Sequence, residues 1–139
     1  MPTISLLFAA CATLINFWLA MRCGRVRVKE KILHGDGGSS LLSRRMRAHA
    51  NFVEYTPFVL ILALGLEMAG TPSTWLWVAA AVYLVGRICH ALGMDAEQGS
   101  PLRMVGIALT FLVMLALVVL ALITAYGLIQ AGDMHSSLA

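Results

Sequence analysis

Charged residues are scarce in this chain of 139 residues: Asp, Glu, Lys and Arg make up 12% of it, whereas 60% is hydrophobic and the mean hydropathy is +0.84. A typical soluble domain carries about 25% charged residues. A soluble four-helix bundle would also alternate polar and apolar faces, yet the run from Val105 to Tyr126 contains no charged residue. The shortage of charge therefore excludes an ordinary soluble protein.

Cysteines are few, and their spacing suits neither a metal nor a disulfide. The chain has three, Cys11, Cys23 and Cys89, with no CxxC or other metal-ligand pattern. Cys11 and Cys89 lie in apolar runs, and Cys23 lies on the predicted cytoplasmic side, where thiols stay reduced. We expect no disulfide and no structural metal.

Four apolar runs are long enough, or nearly so, for the roughly 20 residues of a bilayer span. The runs are Ile4–Met21, Phe52–Ala69, Trp75–Leu92 and Val105–Ile129. With their flanks they predict spans at about 4–22, 48–69, 74–93 and 102–129 within a single domain, 1–139. The predicted fold is all-α, an integral membrane four-helix bundle.

Basic residues are confined to two of the connecting regions. They are Arg22, Arg25, Arg27, Lys29, Lys31, Arg44, Arg45 and Arg47 around the first loop, and Arg87 and Arg103 around the third. By the positive-inside rule, both termini lie outside and the first and third loops face the cytoplasm. This charge also attracts anionic membrane lipids, whereas no aromatic-interleaved basic motif points to nucleic acid.

A polar face leads into the second apolar run. At about 100° per residue, Arg47, Asn51 and Glu54 fall on one side of a helix. A carboxylate inside a span costs roughly 2.5–3.5 kcal/mol or more, so such a residue usually faces protein or water. This face therefore predicts a functional site.

The third and fourth spans carry further polar residues. Arg87 and His90 are three positions apart on one helix face, and Arg103 begins the fourth span. If these spans neighbour the second one, the two polar groups converge at the cytoplasmic end. Their excess of guanidinium groups suits a small anion with several carboxylates, because arginine binds carboxylates in a bidentate way.

Several of these residues also have a structural interpretation. Glu54 could pair with an arginine to lock two helices, His90 could be an interhelical hydrogen-bond partner, and Arg103 could reach the lipid headgroups. Asn51 has the strongest functional case, since its amide needs partners. Glu67, near the external end of the second span, is interpreted as an interfacial carboxylate without a role.

The polar pattern resembles that of the MAPEG family, the membrane-associated proteins in eicosanoid and glutathione metabolism. The resemblance covers nearly the whole chain and rests on four spans, external termini, a basic first loop and a set of motifs in order. The motifs are Gly24-Arg25-Val26-Arg27, Arg47-Ala48-His49-Ala50-Asn51-Phe52-Val53-Glu54-Tyr55, Arg87-x-x-His90 and Arg103, sixteen residues after Arg87. The short chain and the Gly-Asp-Gly-Gly loop resemble the bacterial branch.

The resemblance implies a homotrimer in a bacterial inner membrane, with glutathione as co-substrate bound between adjacent subunits and open to the cytoplasm. The predicted glutathione-binding residues are Arg27, Arg47, Asn51, Glu54, Arg87 and His90. Arg103 matches the arginine credited with activating the thiol. Nearby cations can lower a thiol pKa from about 8.5 to between about 3.5 and 7.5. The implied activity is that of a transferase or peroxidase acting on a lipophilic molecule or lipid from the bilayer.

Three positions depart from the family pattern. Met94 stands where well-studied mammalian members have a tyrosine, Ala50 where some members have a basic residue, and Met104 where the prostaglandin synthase branch has a serine. The last departure argues against that isomerase chemistry. An alternative is a non-enzymatic membrane protein that binds another small anion or an anionic lipid in the same pocket, and a third is a purely structural bundle.

Overall fold

The computed structural model describes the backbone of residues 1–137 and the side chains of residues 1–132. Its helices are α1 (Thr3–Glu30), α2 (Ser40–Met68), α3 (Ser73–Gly93) and α4 (Pro101–Ser137). No strand occurs in this part of the chain, and all four helices are long and apolar enough to span a membrane. The predicted all-α membrane bundle is therefore confirmed.

Three of the helices extend well beyond the predicted spans. α1 continues to Glu30, α2 already begins at Ser40, and α4 runs on past residue 129. The added turns of α1 and α2 carry most of the basic residues, whose charges favour water and lipid headgroups over hydrocarbon. Ser39 caps α2 by accepting a hydrogen bond from the Leu42 amide at 3.3 Å. The membrane segment is thus shorter than the helix in α1 and α2.

The helices alternate in direction. The start of α1 meets the end of α2 through Ser5 and Glu67, and the end of α1 meets the end of α3 through Arg22 and Ala91. We call the end of the bundle that contains Arg22 the basic end and the other the Glu67 end. The largest apolar core cluster lies toward the Glu67 end, whereas most of the arginines lie toward the basic end. Its buried members are Ile4, Phe8, Val59, Ala63, Leu66, Leu76, Ala80, Tyr83, Val113 and Leu117.

Glu67 closes the first turn of α1. Its carboxylate accepts hydrogen bonds from the backbone amides of Ile4 (2.8 Å) and Ser5 (2.7 Å) and from the Ser5 hydroxyl. The first amides of a helix have no partner inside it, and a negative charge is favourable there. The interpretation of Glu67 as a carboxylate without a role is therefore wrong.

Replacing Glu67 with alanine is expected to lower the melting temperature, because the amides of Ile4 and Ser5 lose their acceptor. Thermal unfolding of the purified protein in detergent measures the effect. Exposed Glu97 supplies the control, since Glu97→Ala removes the same charge without a helix terminus to satisfy. Equal melting temperatures for the two variants would contradict this role.

Glycines bring α3 and α4 into backbone contact. A Cβ placed on Gly93 would lie 2.7 Å from the Arg103 Cα, and one placed on Gly106 would lie 2.7 Å from the His90 Cα. Real Cβ atoms essentially never come that close to backbone. Small residues allow this approach between membrane helices, so the backbone itself fixes where His90 and Arg103 lie.

Candidate functional site

A cavity of about 340 Å³ lies at the basic end, between α2, the end of α3 and the start of α4. Its lining residues are Arg47, Asn51, His90, Met94, Gly99, Ser100, Arg103, Met104 and Ile107. Four of the seven predicted site residues, Arg47, Asn51, His90 and Arg103, are among them. We call it the polar cavity.

A larger groove of about 620 Å³ lies between α3 and α4 toward the Glu67 end. Only apolar side chains line it, among them Trp75, Val82 and Leu117. None of its lining side chains titrates, and the Trp75 indole N–H is the one group among them that can form a hydrogen bond. The smaller polar cavity is therefore the candidate site.

Arg87 lies behind the polar cavity and orients one of its walls. This side chain is 1% exposed; its Nη2 donates to Asn51 Oδ1 at 2.8 Å and its Nη1 to Thr110 Oγ1 at 3.3 Å. Because a guanidinium only donates, the oxygen of the Asn51 amide must face Arg87. The NH₂ group of Asn51 is then left as a donor for a ligand.

The polar cavity is rich in positive charge and lacks acid. Arg47 and Arg103 line it, Arg87 stands behind it, and none of its lining residues is Asp or Glu. Arg87 contacts no carboxylate within the described residues. A buried cation without a counter-charge is costly in a membrane protein. An anionic ligand in the cavity would offset that cost.

The start of α4 adds to the same electrostatic field. Gly99 and Ser100 precede the helix, Arg103 and Met104 belong to its first turn, and all of them line the cavity. The unpaired amides and the dipole at a helix N-terminus favour negative charge. Arg103 and the helix terminus therefore act on the same part of the cavity.

His90 is buried in the bundle although it lines the cavity. Its Nδ1 has no hydrogen-bond partner among the described residues. A buried polar atom left unpaired costs free energy. Nδ1 is therefore free to hydrogen-bond a ligand in the cavity.

Glu54 and Arg27 lie outside the polar cavity of their own chain. Glu54 is exposed on α2, near Asn51 but beyond the lining residues, and it forms no ion pair within residues 1–132. Arg27 is half-buried at the end of α1, where its Nη2 contacts Met46 Sδ at 3.3 Å. The predicted convergence therefore holds directly for four residues and indirectly for Arg87, whereas Glu54 does not join it within one chain. Arg27, which only the family resemblance assigned to glutathione, also lies outside the cavity.

A second polar cluster, which we call the Asp95 cluster, consists of Arg22, Arg45 and Asp95. One carboxylate oxygen of Asp95 lies 2.6 Å from Arg22 Nη2, and Arg45 binds both oxygens at 3.0 Å. Partial burial acts to raise the pKa of Asp95, but the hydrogen bonds from Arg45 and Arg22 outweigh it and lower the pKa. Asp95 is therefore ionised at neutral pH, and its stabilising contribution is lost as pH falls through this lowered pKa.

Sequence interpretation missed the Asp95 cluster because it assigned Arg22 and Arg45 to membrane topology and lipid attraction. The available signal was an acidic residue directly after the third span, on the same predicted side as those cations.

Residues 1–132 contain no group of three His, Cys, Asp or Glu side chains arranged to hold a metal.

Comparison with known proteins gives two findings. A model of the MAPEG family matches residues 5–123, a range that contains the whole polar cavity. The chain is also similar to the inner membrane protein YecN of Escherichia coli strain K12 and of Escherichia coli O6:H1 strain CFT073. Each is 33% identical over 90 residues, which cover 65% of this chain and 69% of the relative.

Proposed function

Because the chain belongs to the MAPEG family of membrane proteins, we propose that it is a glutathione-dependent transferase or peroxidase acting on lipophilic electrophiles. The observation that carries the proposal is the polar cavity, with two lining arginines, a donor amide, a helix N-terminus and no acid. Its volume of about 340 Å³ lies within the usual range for small-molecule sites, roughly 300–1,000 Å³.

Glutathione suits the charge of this cavity. It carries two carboxylates, one ammonium and a thiol, and its net negative charge grows when the thiol ionises. Arg47 and the Asn51 amide would donate to a carboxylate, since Asn51 is held by Arg87 with its NH₂ group free. An anion here would also offset the buried charge of Arg87.

Arg103 and the start of α4 would supply the chemistry. Both favour the thiolate of glutathione over the thiol. In conjugation, the thiolate sulfur forms a bond to an electrophilic carbon as the leaving group departs with its electron pair. In peroxide reduction, the sulfur attacks the hydroperoxide, which leaves an alcohol and a sulfenic acid, and a second glutathione converts that acid to the disulfide and water.

The ammonium of glutathione favours a carboxylate partner, and no Asp or Glu lines the cavity of a single chain. We propose that the protein works as a homotrimer in the inner membrane with the polar cavity facing the cytoplasm. Glu54 and Arg27, which stay outside the cavity of their own chain, would then contact glutathione at the boundary with an adjacent subunit. Glu54 supplies the missing negative charge in this arrangement.

Glutathione is expected to raise the melting temperature of the purified protein, because a ligand that binds only the folded state stabilises it. Asn51→Ala should weaken this response, since it removes both the donor amide and the partner of Arg87. Glu97→Gln, at an exposed site outside the cavity, should leave the response intact. Thermal unfolding at several glutathione concentrations measures all three proteins.

The alternative function is non-enzymatic binding of another small anion or an anionic lipid headgroup. Two features favour it. No acidic residue lines the cavity, and the buried thioether of Met94 stands where well-studied mammalian members have a tyrosine, whose hydroxyl could donate a hydrogen bond to glutathione. Under this alternative, glutathione gives no thermal shift, whereas an anionic phospholipid stabilises the protein selectively over a zwitterionic one. That combination would overturn the glutathione proposal.

A further inference from the structure

The Asp95 cluster joins three separate parts of the chain at the basic end. Arg45 binds the Asp95 carboxylate through Nε and Nη2, both at 3.0 Å, while Arg22 approaches it from α1 at 2.6 Å. Arg45 also donates through Nη1 to the Arg22 carbonyl at 3.2 Å. A bidentate arginine–carboxylate pair has a defined geometry as well as charge attraction. The cluster therefore holds Asp95 at one position relative to α1 and α2.

The same contacts hold the end of α3. Arg22 Nη1 donates to the Ala91 carbonyl at 3.0 Å, and Arg44 Nη2 donates to the Asp95 carbonyl at 3.3 Å. Carbonyls at a helix C-terminus lack partners inside the helix and attract cations. Four groups of residues 91–95, two carbonyl oxygens and the two carboxylate oxygens, are thus bound by arginines from α1 and α2.

This anchored segment belongs to the wall of the polar cavity. Met94 directly precedes Asp95 and lines the cavity, and the connection that follows brings in Gly99 and Ser100. Gly93 lies against the Arg103 backbone, where a Cβ would come within 2.7 Å of the Arg103 Cα. A movement of the end of α3 would therefore move the start of α4 as well.

Arg103 depends on this backbone support. Its side chain is exposed and makes no hydrogen bond within residues 1–132. Nothing else in this part of the chain fixes the guanidinium through its own contacts. The position of Arg103 is set instead by the backbone that carries it.

We propose that Asp95 is a positioning residue: by binding Arg22 and Arg45 it fixes the connection between α3 and α4 and so sets where Arg103 meets the thiol of the bound substrate. The thiol part of this inference rests on the proposed function, whereas the anchoring of the connection does not. Asp95 itself does not line the cavity and touches no reacting atom.

Asp95→Asn tests the proposal in the full-length purified protein. The amide keeps the size of the side chain but removes the charge, so Arg22 becomes a buried cation without its counter-charge. We expect faster hydrogen exchange at the amides of residues 94–103, and a thiolate absorbance of bound glutathione that appears only at higher pH. We also expect kcat to fall by up to about 100-fold, as misplaced groups cause, with a smaller change in KM.

Two further variants and one control complete the test. Asp95→Glu keeps the carboxylate and should restore part of the activity and of the exchange protection. Arg45→Gln removes the bidentate contact but leaves Arg22 paired with Asp95, so its effect on exchange and activity should be intermediate. This variant replaces Asp95→Asn in the test if Asp95→Asn does not fold. Glu97→Gln changes an exposed carboxylate of the same connection and should behave like the unaltered protein.

The results separate the two proposals. A lower melting temperature with unchanged exchange at residues 94–103 and an unchanged thiolate pH profile would overturn the positioning role and leave the cluster a structural contact. If the unaltered protein binds no glutathione, the proposed function fails. In that case, unchanged hydrogen exchange at residues 94–103 in Asp95→Asn would overturn the anchoring of the connection. Faster exchange there would mean that Asp95 positions Arg103 for an anion other than glutathione.

Discussion

Arg103→Ala is expected to lower kcat/KM for glutathione-dependent turnover about 100-fold, the loss typical when one group that stabilises developing negative charge is removed. Arg103 lines the polar cavity in the first turn of α4, where it and the helix terminus would both favour the thiolate. Turnover of chlorodinitrobenzene or of a fatty acid hydroperoxide by the purified protein measures the effect. The melting temperature should change little, because the side chain is exposed.

Two matched variants sharpen this measurement. Arg103→Lys keeps the charge but loses the planar fork of the guanidinium, so it should retain an intermediate activity. Arg25→Ala removes an exposed arginine of α1 that does not line the cavity, and its activity should stay near that of the unaltered protein. Full activity in Arg103→Ala would remove Arg103 from the mechanism.

Gly106→Ala is expected to cause a large loss of stability, about 1–3 kcal/mol or more, as overpacking of a tight contact does. The new methyl group would lie 2.6 Å from the Gly86 carbonyl oxygen and 2.7 Å from the His90 Cα. Both neighbours are backbone, so the helices must separate. Thermal unfolding should show the loss, and the glutathione response should weaken because His90 and Arg103 move apart.

The same helix offers a control for the alanine substitution. Gly127 also lies in α4, but nothing would come within 4 Å of a Cβ there. Alanine favours a helix over glycine by roughly 0.5–1 kcal/mol, so Gly127→Ala should leave stability unchanged or slightly raised. If Gly106→Ala melts at the same temperature as Gly127→Ala, close backbone packing does not fix the α3–α4 pair.

Hydropathy predicted the spans because, in a chain with so little charge, a continuous apolar run of about 20 residues is explained by a membrane-spanning helix. It did not predict that α1 continues to Glu30, since charged helical turns resemble a polar loop in composition. The contact of Gly106 with the His90 backbone was also hidden. A glycine in a sequence does not reveal which helix lies against it.

The candidate site was predictable where its residues share one helix. Arg47 and Asn51 follow helical spacing, and both line the polar cavity. Side-chain contacts between different helices were less predictable: Arg87 donates a hydrogen bond to Asn51 and does not pair with Glu54. The pairing of Arg22 with Asp95 joins residues far apart in the chain, and local spacing carries no information about such pairs.

Glu67 was misjudged for the same reason. Its position near the end of the second span suggested an interfacial carboxylate, whereas its three hydrogen-bond donors come from the start of α1. A carboxylate that satisfies another helix cannot be recognised from its own helix. The sequence therefore predicted which residues belong to the site better than it predicted which side chains contact each other.

The polar cavity lies at the seam between two helical hairpins. Ser5–Glu67 and Arg22–Arg45 contacts close the first hairpin at both of its ends, and glycines close the second. Arg47 and Asn51 come from one hairpin, His90 and Arg103 from the other. A ligand that touches all four residues consequently adds to the contacts that hold the hairpins together, so occupancy of the cavity also strengthens the cohesion of the bundle.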